Sequence, residues 1–236
     1  MTGTLLNIAT VLLGGGLGVL LGARLPERMR ETVMHGLGLV TLILGIDLAL
    51  DTQNILVPLG SVIIGSILGE WWRIDVGLER VSDWLRRRVA RHVGQESLAH
   101  FSEGFITASL VFCIGPLTVL GSIQDGLTGD YSLLAIKAML DGFSALAFAS
   151  SLGIGVLFAA LTILLYQGGL AMLAGLAQNL FTDAMITEMS AVGGIMILAI
   201  GLLLLDLKKI RVANMLPGLV IAPVVVAILA ALGIAL

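Results

Sequence analysis

The sequence predicts an all-α integral membrane protein with about eight transmembrane helices and one cytoplasmic amphipathic surface helix. Three observations lead there. Hydrophobic residues make up 58% of the 236 and charged residues 12%, about half the roughly 25% with which a soluble domain coats itself. Apolar runs of spanning length recur without two-residue alternation; about 20 apolar residues cross the hydrocarbon as helix, whereas barrel strands alternate. The cations are also segregated, twelve of the 13 Lys and Arg lying in residues 24–30, 73–91 and 208–211.

Composition narrows the class further. The 30 glycines suit helices that approach closely in a bilayer. Met1-Thr2-Gly3 has no basic n-region, so the first apolar run is expected to remain as a span. Cys113 stands alone, which excludes an internal disulfide and a multi-cysteine metal site. No metal, cofactor or nucleic-acid partner is expected. The expected partners are the lipid bilayer, a small solute or ion, and further copies of the chain in a homo-oligomer.

Residues 1–236 read as a single membrane domain: spans one to three in 1–72, a basic amphipathic helix and linker in 73–102, spans four to eight in 103–236. Span one, about 4–21, places Gly14, Gly18 and Gly22 on one helical face as a packing groove. Asn7 near its start either bonds a neighbouring helix or touches substrate. A loop with Arg24, Arg28 and Arg30 leads to span two, about 33–50, with Asp47 near its far end. Span three, about 55–70, shows a second small face of Ser61, Gly65 and Gly69. Spans one and three are expected to pack through these two faces.

Residues 71–92 change character. Ile74, Leu78, Val81, Leu85 and Val89 form one apolar helical stripe, flanked by Trp84, acidic residues and arginines. Such a helix either lies at an anionic membrane surface or packs on a partner. After a polar linker at 95–102, span four, about 104–120, contains Gly115-Pro116, and proline removes a helix donor and bends the helix. Residues 121–126 are expected to form a polar, glycine-bounded tip. Spans five and six fall at about 131–149 and 152–174, although 139–165 also reads as one long helix. An acidic connection at 178–188 precedes spans seven and eight, about 191–205 and 215–236, which flank the basic segment 206–214.

Cytoplasmic loops of membrane proteins collect Lys and Arg. With eight spans the three basic segments share one side, while 51–54, 121–131 and 178–188 carry no cation. Seven spans would put the third cluster on the wrong side. The expected location is a bacterial-type plasma (inner) membrane, with both termini outside. Spans two and three also resemble spans seven and eight, pairing Gly45 with Gly201, Asp51 with Asp206, Asn54 with Asn214 and Pro58 with Pro217. By the charge rule the two pairs run in opposite directions, the pattern of an inverted repeat.

Function is sought around residues 113–167. Lys137 and Asp141 are four apart on one helical face. Ionisable residues inside a span are costly and mark a pathway or relay by default; the alternatives are mutual neutralisation, or Lys137 snorkelling to the interface. Ser122, Gln124 and Asp125 follow the Pro116 break, where exposed backbone dipoles can bind ions or substrate. Tyr166 and Gln167 read as an interfacial anchor or a pore-lining pair. Lys137, Asp141, Ser122, Gln124, Asp125, Tyr166, Gln167 and Asn7 are therefore the candidate pathway residues.

Enzymatic readings fare poorly. Asp141-Gly142-x-x-Ala145 resembles the start of the CDP-alcohol phosphotransferase motif, but Leu146 replaces its Arg, and Ala159 and Ile163 stand where its metal-binding aspartates would follow. His92 and His100 lie outside the spans and His35 stands at the very start of span two, and neither a GxGD pair nor a nucleotide-binding loop occurs. No catalytic residue is expected.

GSIQDGLTGD from Gly121, the K…LDG of Lys137 to Gly142, FASSLGIGV from Phe148, YQG from Tyr166, and GEWWRIDVGLERVSDWLRRR from Gly69 resemble the prokaryotic membrane family called domain of unknown function 554. The likeness covers essentially the whole chain. It implies a bacterial-type multi-pass inner-membrane protein and brings no activity, cofactor or catalytic residue. The expected function is a secondary transporter or channel for a small solute or ion. The alternative is a membrane scaffold or accessory subunit that recruits a cytosolic partner through residues 74–92.

Overall fold

A bilayer offers the backbone no hydrogen-bonding solvent, so a spanning chain must bond to itself. The computed structural model of the chain meets that demand with helices. It describes residues 1–22, 26–90, 100–114, 116–175 and 181–233, without the side chains of Glu27, Arg30, Val89 and Pro116. Arg24, residues 91–99 of the basic segment and linker, Gly115, and Gln178 at the start of the acidic connection lie outside the described residues. Among those described there is no strand.

The helices are α1 (Thr2–Gly22), α2 (Glu27–Leu50), α3 (Leu56–Trp72), α4 (Ile74–Val89), α5 (Phe101–Cys113), α6 (Pro116–Thr128), α7 (Ser132–Leu152), α8 (Ala159–Met172), α9 (Asp183–Leu204) and α10 (Pro217–Ala231). Five helical runs among the described residues are long and apolar enough to cross a membrane: Thr2–Gly22, Glu31–Leu50, Ser132–Met172, Asp183–Leu204 and Val212–Ala231. α3 is a shorter apolar helix, and α5 with the body of α6 forms a pair bent by 64° where the sequence holds Gly115-Pro116. The expected tip at 121–126 lies inside α6, so the break comes before those residues instead of at them.

Ser132–Met172 is an unbroken helical run of 41 residues, yet it cannot be a straight rod. At 1.5 Å per residue, Asp141 and Gln167 would then stand roughly 39 Å apart. Instead the side-chain nitrogen of Asn7 bonds both, at 2.9 and 3.0 Å. The chain therefore folds back through the 3₁₀ segment Gly153–Phe158, entered by Gly153 at φ +75°, a conformation open to glycine at little cost. The run is thus two helices joined by a turn a few residues after Ser150-Ser151, not one long straight helix.

Two compact units emerge. The first comprises Met1–Leu37, Glu79–Cys113 and Leu117–Ala177; the second comprises Gly38–Leu78, Ile114–Pro116 and Gln178–Leu236. In the first, α1 buries Thr4, Asn7, Val11, Gly15, Gly18 and Gly22 and turns Leu5, Leu13, Leu17 and Leu20 outward, the inside-out pattern of a helix whose solvent is lipid. Its glycines rest on α7: a Cβ added at Gly14, Gly18 or Gly22 would meet the carbonyl oxygen of Gly142, Leu146 or Ser150 at 2.1, 2.3 or 2.2 Å. The constant sequence offset of these contacts makes α1 and α7 parallel.

The second unit uses the same device in opposite-running helices. Gly45 faces Gly194 and Leu198, Gly194 faces Gly45 and Ala49, and Gly201 faces Leu42, so this part of α2 is antiparallel to α9. Gly65 and Gly69 of α3 face Gly218 and Asn214, and α3 is antiparallel to α10. The expected pairing of spans one and three is thereby corrected. Each small face already has a partner, α7 for one and α10 with its preceding turn for the other.

The amphipathic helix α4 is present, but its stripe is shifted. Val81 is 49% exposed, whereas Ser82 is fully buried, its hydroxyl donating to the Ser102 hydroxyl at 2.8 Å. Leu85 packs with Phe101 and Phe105. A small hydroxyl residue lets the α5 start approach more closely than valine would. Val81 is left with Trp84 on the open face, where Arg88 stacks 5.0 Å from the Trp84 ring centre.

The glycine contacts generate a direct prediction. Gly18→Ala should lower unfolding stability in detergent by about 1–3 kcal/mol through overpacking. Gly16→Ala, with nothing within 4 Å of its added Cβ, should be neutral or gain up to about 1 kcal/mol in helix propensity. Equal effects of the two substitutions would contradict the α1–α7 packing.

Candidate functional site

Proline fixes which backbone atom is in need. Lacking an N–H, Pro116 cannot donate to the carbonyl four residues earlier, which belongs to Phe112. That carbonyl is also among the last four of α5, which have no partner within their own helix. In an apolar interior an unpaired carbonyl costs several kcal/mol. Here the Lys137 ammonium donates to it at 2.6 Å, and the Thr118 hydroxyl lies within 3.5 Å. A charged donor is roughly twice as strong a partner as a neutral one.

The ammonium must itself be neutralised, because a buried lone charge is costlier still. Asp141, one turn further along α7, does so through an ion pair with Lys137. Lys137 is 5% and Asp141 8% exposed, so the snorkelling alternative does not hold. The Asp141 carboxylate also accepts from the Asn7 amide nitrogen at 2.9 Å. Asn7 donates in turn to Gln167 at 3.0 Å, and Gln167 donates to the Thr4 hydroxyl at 3.2 Å. Five elements, α1, α5, α6, α7 and α8, thus share one polar chain inside the first unit. The Asn7 side-chain oxygen alone has no partner among the described residues.

Of the eight candidates, Lys137, Asp141, Asn7 and Gln167 come together. The others lie apart. Ser122 is buried, and its hydroxyl donates to the Thr118 carbonyl at 2.5 Å within its own helix. Asp125 is buried and accepts from the Gly3 amide at 3.0 Å, with the Met1 amino group 2.9 Å away. It caps the start of α1. Gln124 donates to Asp130 at 2.6 Å. In the turn between α6 and α7, the Ser132 hydroxyl and amide, with Gln124, hold the Asp130 carboxyl below its ordinary range. Tyr166 is 37% exposed.

Three participants escaped the sequence reading. Phe112 could have been found by counting back four residues from Pro116. Thr4 stands three residues before Asn7, on the same helical face. Thr118 gave no signal. Glu188 in the second unit was also missed. The sequence placed it in a connection, but it lies in α9, fully buried. It accepts from the Thr52 hydroxyl at 2.7 Å and from the amides of Gln53 and Asn54 at 2.7 and 3.2 Å, satisfying the backbone ahead of α3. No three His, Cys, Asp or Glu side chains converge to hold a metal among the described residues. At two of the phosphotransferase positions, Ala159 and Ile163 are fully buried core residues.

The ion pair should behave as a unit. Asp141→Asn or Lys137→Met alone strands a buried charge and should cost about 3–5 kcal/mol, whereas the double variant should cost clearly less than the sum. Additivity within about 0.5 kcal/mol, read from unfolding midpoints in detergent, would contradict the coupling.

Comparison with known proteins agrees with a membrane assignment. The uncharacterized protein YqgA of Escherichia coli (strain K12) is 36% identical over 223 residues, covering 93% of this chain and 94% of that protein. The uncharacterized membrane protein YdfK of Bacillus subtilis (strain 168) is 31% identical over 238 residues, covering 99% of each. No solved structure matches the chain. The family model described as "Protein of unknown function (DUF554)" matches residues 2–227, and the chain, a helical membrane protein, belongs to that family.

Proposed function

We propose that the protein is a secondary transporter or channel for a small solute or ion in the bacterial inner membrane. The observation that supports this most is the Lys137–Asp141 pair, built against the carbonyl that Pro116 leaves without a donor. Ionisable groups inside a span, beside a broken helix, are the usual materials of an ion or solute pathway. No catalytic step is assigned.

Eight passages are supported by taking the α5–α6 pair as one crossing, α7 and α8 as two, and α3 as a short one. That count puts residues 73–91 and the other basic segments in the cytoplasm and both termini outside. An inverted repeat is supported by the seven-residue glycine spacing shared by α2 and α9, Gly38/Gly45 and Gly194/Gly201, which are the contact points of their antiparallel packing. Oppositely directed helix pairs of this kind recur in proteins that alternate access. Because the ion pair is sealed, passage requires it to open.

The test is flux. In proteoliposomes screened against an ion and metabolite panel, Asp141→Asn and Lys137→Ala should reduce wild-type flux at least roughly tenfold, equivalent to about 1.4 kcal/mol of barrier. Undiminished flux would remove these residues from the pathway. It would leave the accessory-subunit reading, whose basis is the open Val81–Trp84 face of α4.

A further inference from the structure

We infer that the place now held by the Lys137 ammonium is a binding site for a monovalent inorganic cation, Na⁺ or K⁺, which enters by displacing that side chain. For its cargo the site rests on the transport reading; for its chemistry it rests on the geometry of the first unit. The network holds one carboxylate and one ammonium, and its other members, Asn7, Gln167, Thr4 and the Phe112 carbonyl, are neutral. A second net charge in so dry a place is costly. An arriving ion must therefore replace its like-charged occupant: a cation replaces Lys137, an anion replaces Asp141.

The two occupants differ in how easily they leave. Asp141 is short, and the Asn7 amide holds its carboxylate. Lys137 sits at the end of four methylenes, and rotation of that stem withdraws the charge without moving the helix. What it would leave behind is an oxygen cradle: the Asp141 carboxylate, the Phe112 carbonyl 2.6 Å from the ammonium, the Thr118 hydroxyl within 3.5 Å of that carbonyl, and beside them Asn7, whose oxygen is unpartnered. Hard oxygen donors suit alkali-metal cations rather than soft metals. One carboxylate balances one positive charge, so a divalent ion would leave the site charged. The site stays electroneutral with either lysine or cation bound, provided the displaced ammonium reaches a wet or anionic surrounding.

The experiment uses the full chain in detergent, titrated with NaCl, KCl or choline chloride at constant ionic strength. Lys137→Gln, which keeps a donor for the Phe112 carbonyl, and Lys137→Met both vacate the charge. Their unfolding midpoints should rise saturably with Na⁺ or K⁺ and not with choline. Adding Asp141→Asn should abolish the rise. In the wild type, acetylation of Lys137 followed by mass spectrometry should increase with the same cation, as displacement exposes the amine. Flat responses in the variants together with unchanged labelling of the wild type would overturn the site. Cation binding without any solute flux would sink the transport reading alone; Asp141-dependent flux without cation binding would sink the cation site alone.

Discussion

An ammonium group lodged against a carbonyl that proline has deprived of its donor sets the terms for the first unit. The broken helix needs a strong donor at Phe112, Lys137 supplies it, and the lysine's charge then requires Asp141. The carboxylate's spare lone pairs require Asn7, and Asn7 draws in Gln167 and Thr4. Each step follows from the cost of an unmatched polar group in an apolar interior. Because Asn7 lies on α1 and Gln167 on α8, the chain of bonds also ties those helices to α7. The glycine contacts of Gly14, Gly18 and Gly22 bring α1 close enough to α7 for Asn7 to reach Asp141.

The second unit solves a different problem. Its helices carry little polar cargo, and their association rests on backbone contact at Gly38, Gly45, Gly194 and Gly201, and at Gly65 and Gly69. Lipid is as apolar as leucine, so close packing rather than hydrophobic exclusion holds such helices together. Two of its buried polar side chains, Glu188 and Asn214, serve the ends of other helices. Glu188 serves the turn before α3, and Asn214 accepts from the Asp75 amide at 2.8 Å while donating to Glu70 at 2.7 Å. These are caps borrowed from other helices, and they keep backbone groups satisfied where water is scarce.

Much of this was legible in the residues because the bilayer constrains sequence so strongly. Run length and composition give the apolar helices, Pro116 gives the break, and the four-residue step from Lys137 to Asp141 gives the pair. Small-residue spacing located the packing faces but not their partners, since a glycine stripe says only that something comes near. Val81 and Ser82 show a similar limit: hydrophobic periodicity favours valine, yet Ser82, bonded to Ser102, takes the buried place beside Leu85. Glu188, Thr4 and the placement of Asn7 beside Asp141 depend on contacts more than a hundred residues apart in sequence. No local pattern encodes those.

The account is tested most directly by asking whether Lys137 and Pro116 depend on one another. Pro116→Ala restores an N–H four residues beyond Phe112, which gives the carbonyl a backbone donor of its own once α5 extends across the break. Measured in detergent by unfolding midpoint, Lys137→Met should then cost at least about 1 kcal/mol less in the Pro116→Ala background than in the wild type. The same cost in both backgrounds, within about 0.5 kcal/mol, would contradict the claim that the lysine is there to serve the broken helix.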